Sequence, residues 1–385
     1  MSLRLLEERL AALEASGLRR SLSLPKGAIS LCSNDYLGLA GDPAHAAAVV
    51  AAASGRSSGA GASRLVSGNF PAHMSLEERL AAWMGHESAL LFSSGYAANT
   101  GLLGALLTEG DAVFSDALNH ASIIDGIRLG RAARHIYPHR DLAVLEQLLA
   151  SHRGSGLAVI VTESVFSMDG DIAPLAGLVA LAKRFDAFLV VDEAHALGLY
   201  GAAGAGVLSS LGLSSDAGAV VGTFGKSFGA SGAFVAGSSP LCELLVNRAR
   251  SFVFSTAPSP LSLAAMEVAL AEVEAGRRRA AAWHAASRMA AALEARGWWR
   301  GPARSLVFPV MVGAPERAVA LRDALDARGF FVQAIRPPTV PVDTSRLRVT
   351  VGAASRDAEL EAFAEALDGA AQSLGIERSV GSHVG

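Results

Sequence analysis

The chain has 385 residues, of which 51% are hydrophobic and 18% charged, with 33 basic against 36 acidic side chains and a formal charge of -3. That balance excludes a disordered or solvating chain, which needs high charge and little apolar content. It also leaves no basic block to grip a run of phosphates, so no nucleic-acid partner is expected.

At the N-terminus, Leu3, Leu6, Leu10 and Leu13 recur at helical spacing among charges, which predicts an amphipathic helix and no export signal. The longest purely apolar stretch, 46–53, is far below the ~20 residues that span a bilayer, so no membrane partner is expected. Short apolar runs at 89–92, 112–114, 134–137, 157–162, 187–191, 220–223 and 232–235 then alternate with helical patterns such as 76–84 and 174–185. Most are continuous rather than alternating, as expected for strands covered on both faces of a mainly parallel α/β sheet. From 259 to 296 the chain is rich in Ala, Leu and Glu with helical periodicity, and beyond it strands at 305–312, 329–335 and 346–351 alternate with helices at 315–328 and 357–374. Pro315 suits the first position of a helix and Gly329 its exit. The last seven residues, SVGSHVG, read as a loose tail. The two cysteines, Cys32 and Cys242, read as small buried hydrophobes in a reduced, cytoplasmic protein.

In an open α/β sheet a ligand binds beyond the carboxyl ends of the strands. Polar or small residues collect at five such ends: Ser93 to Tyr96; Asp116, Asn119 and His120; Glu163 and Ser167; Asp192 and His195; and Lys226. Lys226 lies between glycines in GTFGKSFGASG (222–232), where a planar ligand can approach an uncrowded backbone. Its amine could form a Schiff base with an aldehyde cofactor, or it could be a surface lysine in a glycine-rich turn. A P-loop fails on spacing, because Val220 stands where a glycine is required. In DEAH (192–195), Asp192 suits a carboxylate that keeps a pyridine nitrogen protonated, and His195 could reach the phenolic oxygen of the same ring. The pair equally suits a helix cap and a core histidine.

SSGYAAN (93–99) passes from a strand through glycine into a helix, whose N-terminal N–H groups can bind phosphate. GAGAS (59–63) lacks the third glycine of a dinucleotide fingerprint, since Arg64 sits there. His120 could stack on an aromatic cofactor or be a hydrogen-bonded loop residue. Ser167 could donate to a ring oxygen or make the turn. No HExxH or paired Cys/His spacing supports a metal site. What favours a cofactor site is the conjunction of cradle, histidine, Asp–His pair and lysine, all at strand ends.

The motifs SNDYLGL (33–39), SRLVSGN (63–69), SSGYAAN (93–99), NHAS (119–122), ESVFSMDGD (163–171), DEAH (192–195), TFGKSFGASG (223–232) and FSTAPSP (254–260) resemble, in this order, the α-oxoamine synthases. These are pyridoxal-phosphate-dependent enzymes of fold type I, and the resemblance runs from Ser33 to about Leu367. It implies an N-terminal helix and segment (1–45), a large mainly parallel-sheet domain that binds the cofactor (46–275) and a small α+β C-terminal domain (276–385), assembled as a homodimer with shared active sites. AIRPPTVP (334–341) followed by RLR (346–348) looks like the branch that condenses L-alanine with pimeloyl-CoA, or with pimeloyl on acyl carrier protein, in biotin biosynthesis. Glycine-using members, 2-amino-3-ketobutyrate CoA ligase and 5-aminolevulinate synthase, are the alternative within the family, and a nucleotide-binding module is the alternative outside it.

Residue by residue, the resemblance implies Lys226 as Schiff-base lysine and proton shuttle, Asp192 at the pyridine nitrogen, His195 and Ser167 at the phenolic oxygen, and His120 on the ring face. Gly95, Tyr96 and Thr223 would hold the phosphate, with Ser255 or Thr256 from a second subunit. Arg348 would meet the alanine carboxylate, and Thr339 and Arg19, or its neighbour Arg20, would contact substrate. Two small departures are Ala196, where a glycine is common, and Ala62, where a second glycine often precedes Ser63.

Overall fold

The first strand, β1 (Ile29–Ser30), is two residues long, and the seven apolar runs follow it as seven strands. They are β2 (Ser88–Phe92), β3 (Ala112–Asp116), β4 (Ala133–Tyr137), β5 (Ala158–Glu163), β6 (Phe188–Asp192), β7 (Ala219–Thr223) and β8 (Ala233–Gly237). They form one sheet in the order β2-β8-β7-β6-β5-β3-β4. All neighbours are parallel except β8, which runs against both β2 and β7. β5, β7 and β8 are buried along their whole length, and β6 all but Phe188, as continuous apolar runs require. β4 departs from that expectation: it is the edge strand, and Ala133, Arg134 and Ile136 are exposed.

The computed structural model describes residues 2–20, 22, 24–25, 28–152 and 155–378, so the tail at 379–385 lies outside the described residues. The chain divides into a larger unit, Asp35–Ser167 with Ile172–Ala280, and a smaller one, Met1–Asn34 with Met168–Asp171 and Ala281–Gly385. In the smaller unit β9 (Val307–Gly313), β11 (Gln333–Ile335) and β12 (Ser345–Thr350) form an antiparallel sheet, with β12 central. β10 (Phe330–Phe331) pairs instead with β1, in parallel. The single strand expected over 329–335 is therefore two, parted at Val332, because one segment serves two sheets.

Two further differences have local causes. The helical stretch 259–296 splits into Pro260–Ala275 and Arg279–Glu294, because Gly276 takes a left-handed backbone (φ 68°) and closes the first helix. The N-terminal helix Ser2–Ala15 forms, yet Leu3, Leu6, Leu10 and Leu13 are 44–73% exposed, so its apolar face covers no core within this chain. Of the thiols, Cys242 is buried, but Cys32 is only half-buried. Among the described residues no helix is long and apolar enough to cross a membrane.

Candidate active site

The cradle is built where β2 turns into the helix Gly95–Leu106. Ser94 caps that helix, its Oγ accepting the Ala97 N–H at 3.1 Å. Gly95 and Tyr96 occupy the first turn, whose N–H groups helix geometry leaves to an outside acceptor. The Tyr96 ring is exposed, and its hydroxyl donates to Asp125 at 2.6 Å, so its contribution to the cradle is the backbone. Thr223, at the end of β7, lies beside this turn: a Cβ on Gly95 would sit 3.7 Å from the Thr223 Cβ. The Thr223 hydroxyl donates to Gly232 O and accepts the Gly225 N–H, both at 3.1 Å. It thus pins the mouth of the β7–β8 loop that carries the half-buried Lys226.

Two carboxylates end adjacent strands in register, Glu163 on β5 and Asp192 on β6. Asp192 accepts from Asn99 Nδ2 at 2.7 Å and from the Ala194 N–H at 2.8 Å. Glu163 is sealed. Its Oε2 accepts the Ser167 N–H at 3.2 Å, while Oε1 is buried without a hydrogen-bond partner. Burial, then the charge of Asp192, push its carboxyl up to about 8. His120 caps the helix Ala121–Leu129 with its own ring, Nδ1 accepting the Ser122 N–H at 3.2 Å. Burial holds His120 below the ordinary histidine range; Asp192 opposes this and Lys226 adds to it, so the three groups share one electrostatic neighbourhood. Asn119 steadies the approach: its amide donates to Ser115 Oγ and Val161 O, and its Oδ1 accepts the Glu163 N–H. His195 is buried and shares a 2.7 Å hydrogen bond with the Tyr36 hydroxyl.

The larger unit thus brings Gly95, Tyr96 and Thr223 together at the cradle, and His120, Asp192 and Lys226 into one neighbourhood. Ser167 joins through Glu163. Ser255 and Thr256 stand at the surface next to Phe254, which is 72% exposed. Asn99, Ser122, Glu163 and Tyr36 enter the site without having been assigned a role from sequence, although each lies inside a quoted motif.

The smaller unit holds the remaining candidates. Arg348, buried on β12, donates to Asn34 Oδ1 at 2.9 Å. A cavity of about 480 Å³ is lined by Arg19, Arg20, Arg322, Arg336 and Thr339 among others. Arg20 donates to the Thr339 hydroxyl at 3.1 Å, whereas Arg19 pairs with Glu14. Arg336 is buried and donates to the carbonyls of Gly17 and Arg19; burial and the nearby Arg322 and Arg20 lower its affinity for a proton. Asp323 and Asp326 line the same cavity, Asp323 paired with Arg322, and the four arginines still leave it basic, which favours an anionic ligand.

As a donor set, a helix N-terminus for phosphate, the Asp192 carboxyl, the His120 imidazole and the Lys226 amine fit a phosphorylated pyridine aldehyde.

The model of the family "aminotransferase class I and II" matches residues 26–367. The chain is 50% identical over 375 residues to the 8-amino-7-oxononanoate synthase of Anaeromyxobacter dehalogenans, covering 93% of each. It is 46% identical to that of Geobacter sulfurreducens, over 95% of this chain and 98% of the relative. Among solved structures, a Sphingomonas wittichii serine palmitoyltransferase matches with a TM-score of 0.88 at 32% identity, over 97% of this chain and 98% of that one. A structure described as SPT with PLP internal aldimine matches with the same TM-score at 31% identity, over 97% and 98%. An 8-amino-7-oxononanoate synthase from Francisella tularensis matches with a TM-score of 0.77 at 26% identity, over 91% and 100%. The expected fold type I stands. The chain belongs to the aminotransferase class I and II family and, within it, to the group of the 8-amino-7-oxononanoate synthases.

Proposed function

We propose that the chain is a pyridoxal-phosphate-dependent acyltransferase. It condenses L-alanine with a pimeloyl thioester and releases 8-amino-7-oxononanoate, CO2 and the free thiol carrier, in biotin biosynthesis. The observation that carries this reading is 45–50% identity, over more than nine-tenths of the chain, to relatives named for that activity. Serine palmitoyltransferases favour a second reading through their higher TM-scores, with L-serine as the amino acid, but their identity is only 31–32%.

When bound, the cofactor supplies an aldehyde for an amine and a ring that takes up electron density from the amino-acid Cα. Gly95, Tyr96 and Thr223 would hold its phosphate, with Ser255 or Thr256 of a second copy in a homodimer. Asp192, oriented by its two donors, would hold a proton at the ring nitrogen. His120 would lie on the ring face, and His195 and Ser167 would meet the phenolic oxygen. Lys226 Nζ removes the proton at the alanine Cα and returns one after decarboxylation, a general-base and general-acid pair on one group. Arg348 would orient the alanine carboxylate, and the arginine-lined cavity beside Thr339 suits the free carboxylate of the acyl chain, with Arg20 better placed against Thr339 than Arg19.

The test is product formation from alanine, glycine or serine with pimeloyl-CoA, read by mass spectrometry, beside the protein's absorption spectrum. Alanine is expected to give the product, and Lys226→Ala to lower turnover by roughly 10²–10⁴-fold. Full activity in Lys226→Ala would sink the proton-shuttle role, and a preference for serine would move the reading to the second one.

A further inference from the structure

The positions of Asp192 and His120 in the proposed function rest on side chains that the sequence does not single out. We propose that Asn99 and Ser122 are positioning residues. Together they form a buried relay that fixes the tautomer of His120 and holds Asp192 as the acceptor of a fixed donor. This rests on the cofactor reading above and deepens it.

The relay runs unbroken across the larger unit. Asn99 Nδ2 donates to Asp192 Oδ2 at 2.7 Å and to Ser122 Oγ at 2.9 Å. Ser122 Oγ lies 2.7 Å from His120 Nδ1. Asn99 is 2% exposed and Ser122 1%, so water does not compete for these bonds. Their directions follow from donor counting. Turning the Asn99 amide over would place its oxygen 2.7 Å from a carboxylate oxygen, acceptor against acceptor, so Nδ2 must face Asp192. That gives both amide protons away. Ser122 then accepts from Asn99 and has one proton left, which goes to His120 Nδ1. The Ser122 backbone N–H points at the same nitrogen, at 3.2 Å. Nδ1 is therefore an acceptor twice over, and the neutral ring carries its proton on Nε2. The charged and titratable groups that act on His120 are Asp192, Lys226 and, through the His120 backbone, Glu163.

Asn99 Oδ1 is left buried with no hydrogen-bond partner. A buried orphan acceptor is costly, and its retention is explained if the two donors on the other side of the amide are what the site needs. The two groups assigned to the ring nitrogen and the ring face are thereby joined through two side chains from the helices Gly95–Leu106 and Ala121–Leu129.

The test uses holoenzyme labelled with ¹⁵N-histidine, the His120 signals being assigned with His120→Gln. Wild type is expected to show an unprotonated Nδ1 and a protonated Nε2 at neutral pH. Ser122→Ala, which leaves Nδ1 only the 3.2 Å backbone N–H, should weaken the lock enough to populate the second tautomer measurably and lower kcat on the order of ten-fold, with KM for alanine little changed. Ser122→Thr, which keeps the hydroxyl, should restore the single tautomer. Asn99→Ala should lower kcat at least as far as Ser122→Ala; if it does not fold, the two serine variants decide the matter. A single Nε2–H tautomer persisting in Ser122→Ala, or rates within two-fold of wild type, would overturn the relay. A protein that takes up no pyridoxal phosphate yet shows the tautomer locked in wild type and released in Ser122→Ala would defeat the cofactor reading and leave the relay intact.

Discussion

Glu163 and Asp192 are register partners on neighbouring strands, yet their surroundings differ. Asp192 accepts from a side-chain amide and a backbone N–H, whereas Glu163 is held only by backbone, from Ser167 and His120, in a fully buried place. With its folded pKa raised from 4.5 to about 8, Glu163 keeps its proton in the folded chain after the unfolded chain has lost it. Its contribution to stability is therefore complete below pH 4.5 and is lost as the pH rises to 8, at about 1.4 kcal/mol per pH unit. Glu163→Gln removes that slope. In urea unfolding of the cofactor-free protein, the variant should gain on wild type steadily between pH 5 and 8, and a constant difference would contradict the assignment. Lys226, Asp192, His195 and His120 stood out as candidates in the sequence because each stands in a short motif at a strand end. The parts of Asn99 and Ser122 did not, because an asparagine or serine near the start of a helix has a local explanation, and Glu163 was marked only as a polar strand end. Only the fold carries Asn99 to a residue 93 positions later.

Along β12 the side chains alternate between two environments. Leu347 and Val349 enter the apolar core, while Arg346 and Arg348 share the other face, both buried. Arg346 pairs with Asp169 in the turn Met168–Asp171, where Gly170 has φ 70° and leaves no room for a Cβ against Val307 O. Arg346→Met would strand a buried aspartate and should destabilise the protein by about 3–5 kcal/mol, read by thermal or urea unfolding. Adding Asp169→Asn should recover part of that loss; purely additive losses would mean the pair is not coupled. The strands of the large sheet were legible as apolar runs because burial on both faces leaves no other pattern. The break at Val332 and the attachment of the turn 168–171 to the smaller unit were not, since both depend on partners far away in the chain.

At the scale of the whole molecule, exposed apolar side chains mark surface that one copy leaves uncovered. Phe254, beside Ser255 and Thr256, is 72% exposed, and we propose that a second copy covers it. Sedimentation should then give about twice 39.5 kDa, and Phe254→Asp should shift the protein towards one copy and loosen the cofactor. A monomeric wild type with tightly held cofactor would refute the shared site. The smaller unit, finally, is assembled from both ends of the chain, with β1 completed only by β10. During synthesis the first 34 residues leave the ribosome before the rest of their unit has been translated. At cellular elongation rates the wait for residue 281 is roughly ten to fifty seconds. Throughout it β1 has no strand to pair with, so the segment that emerges first is among the last to find its place.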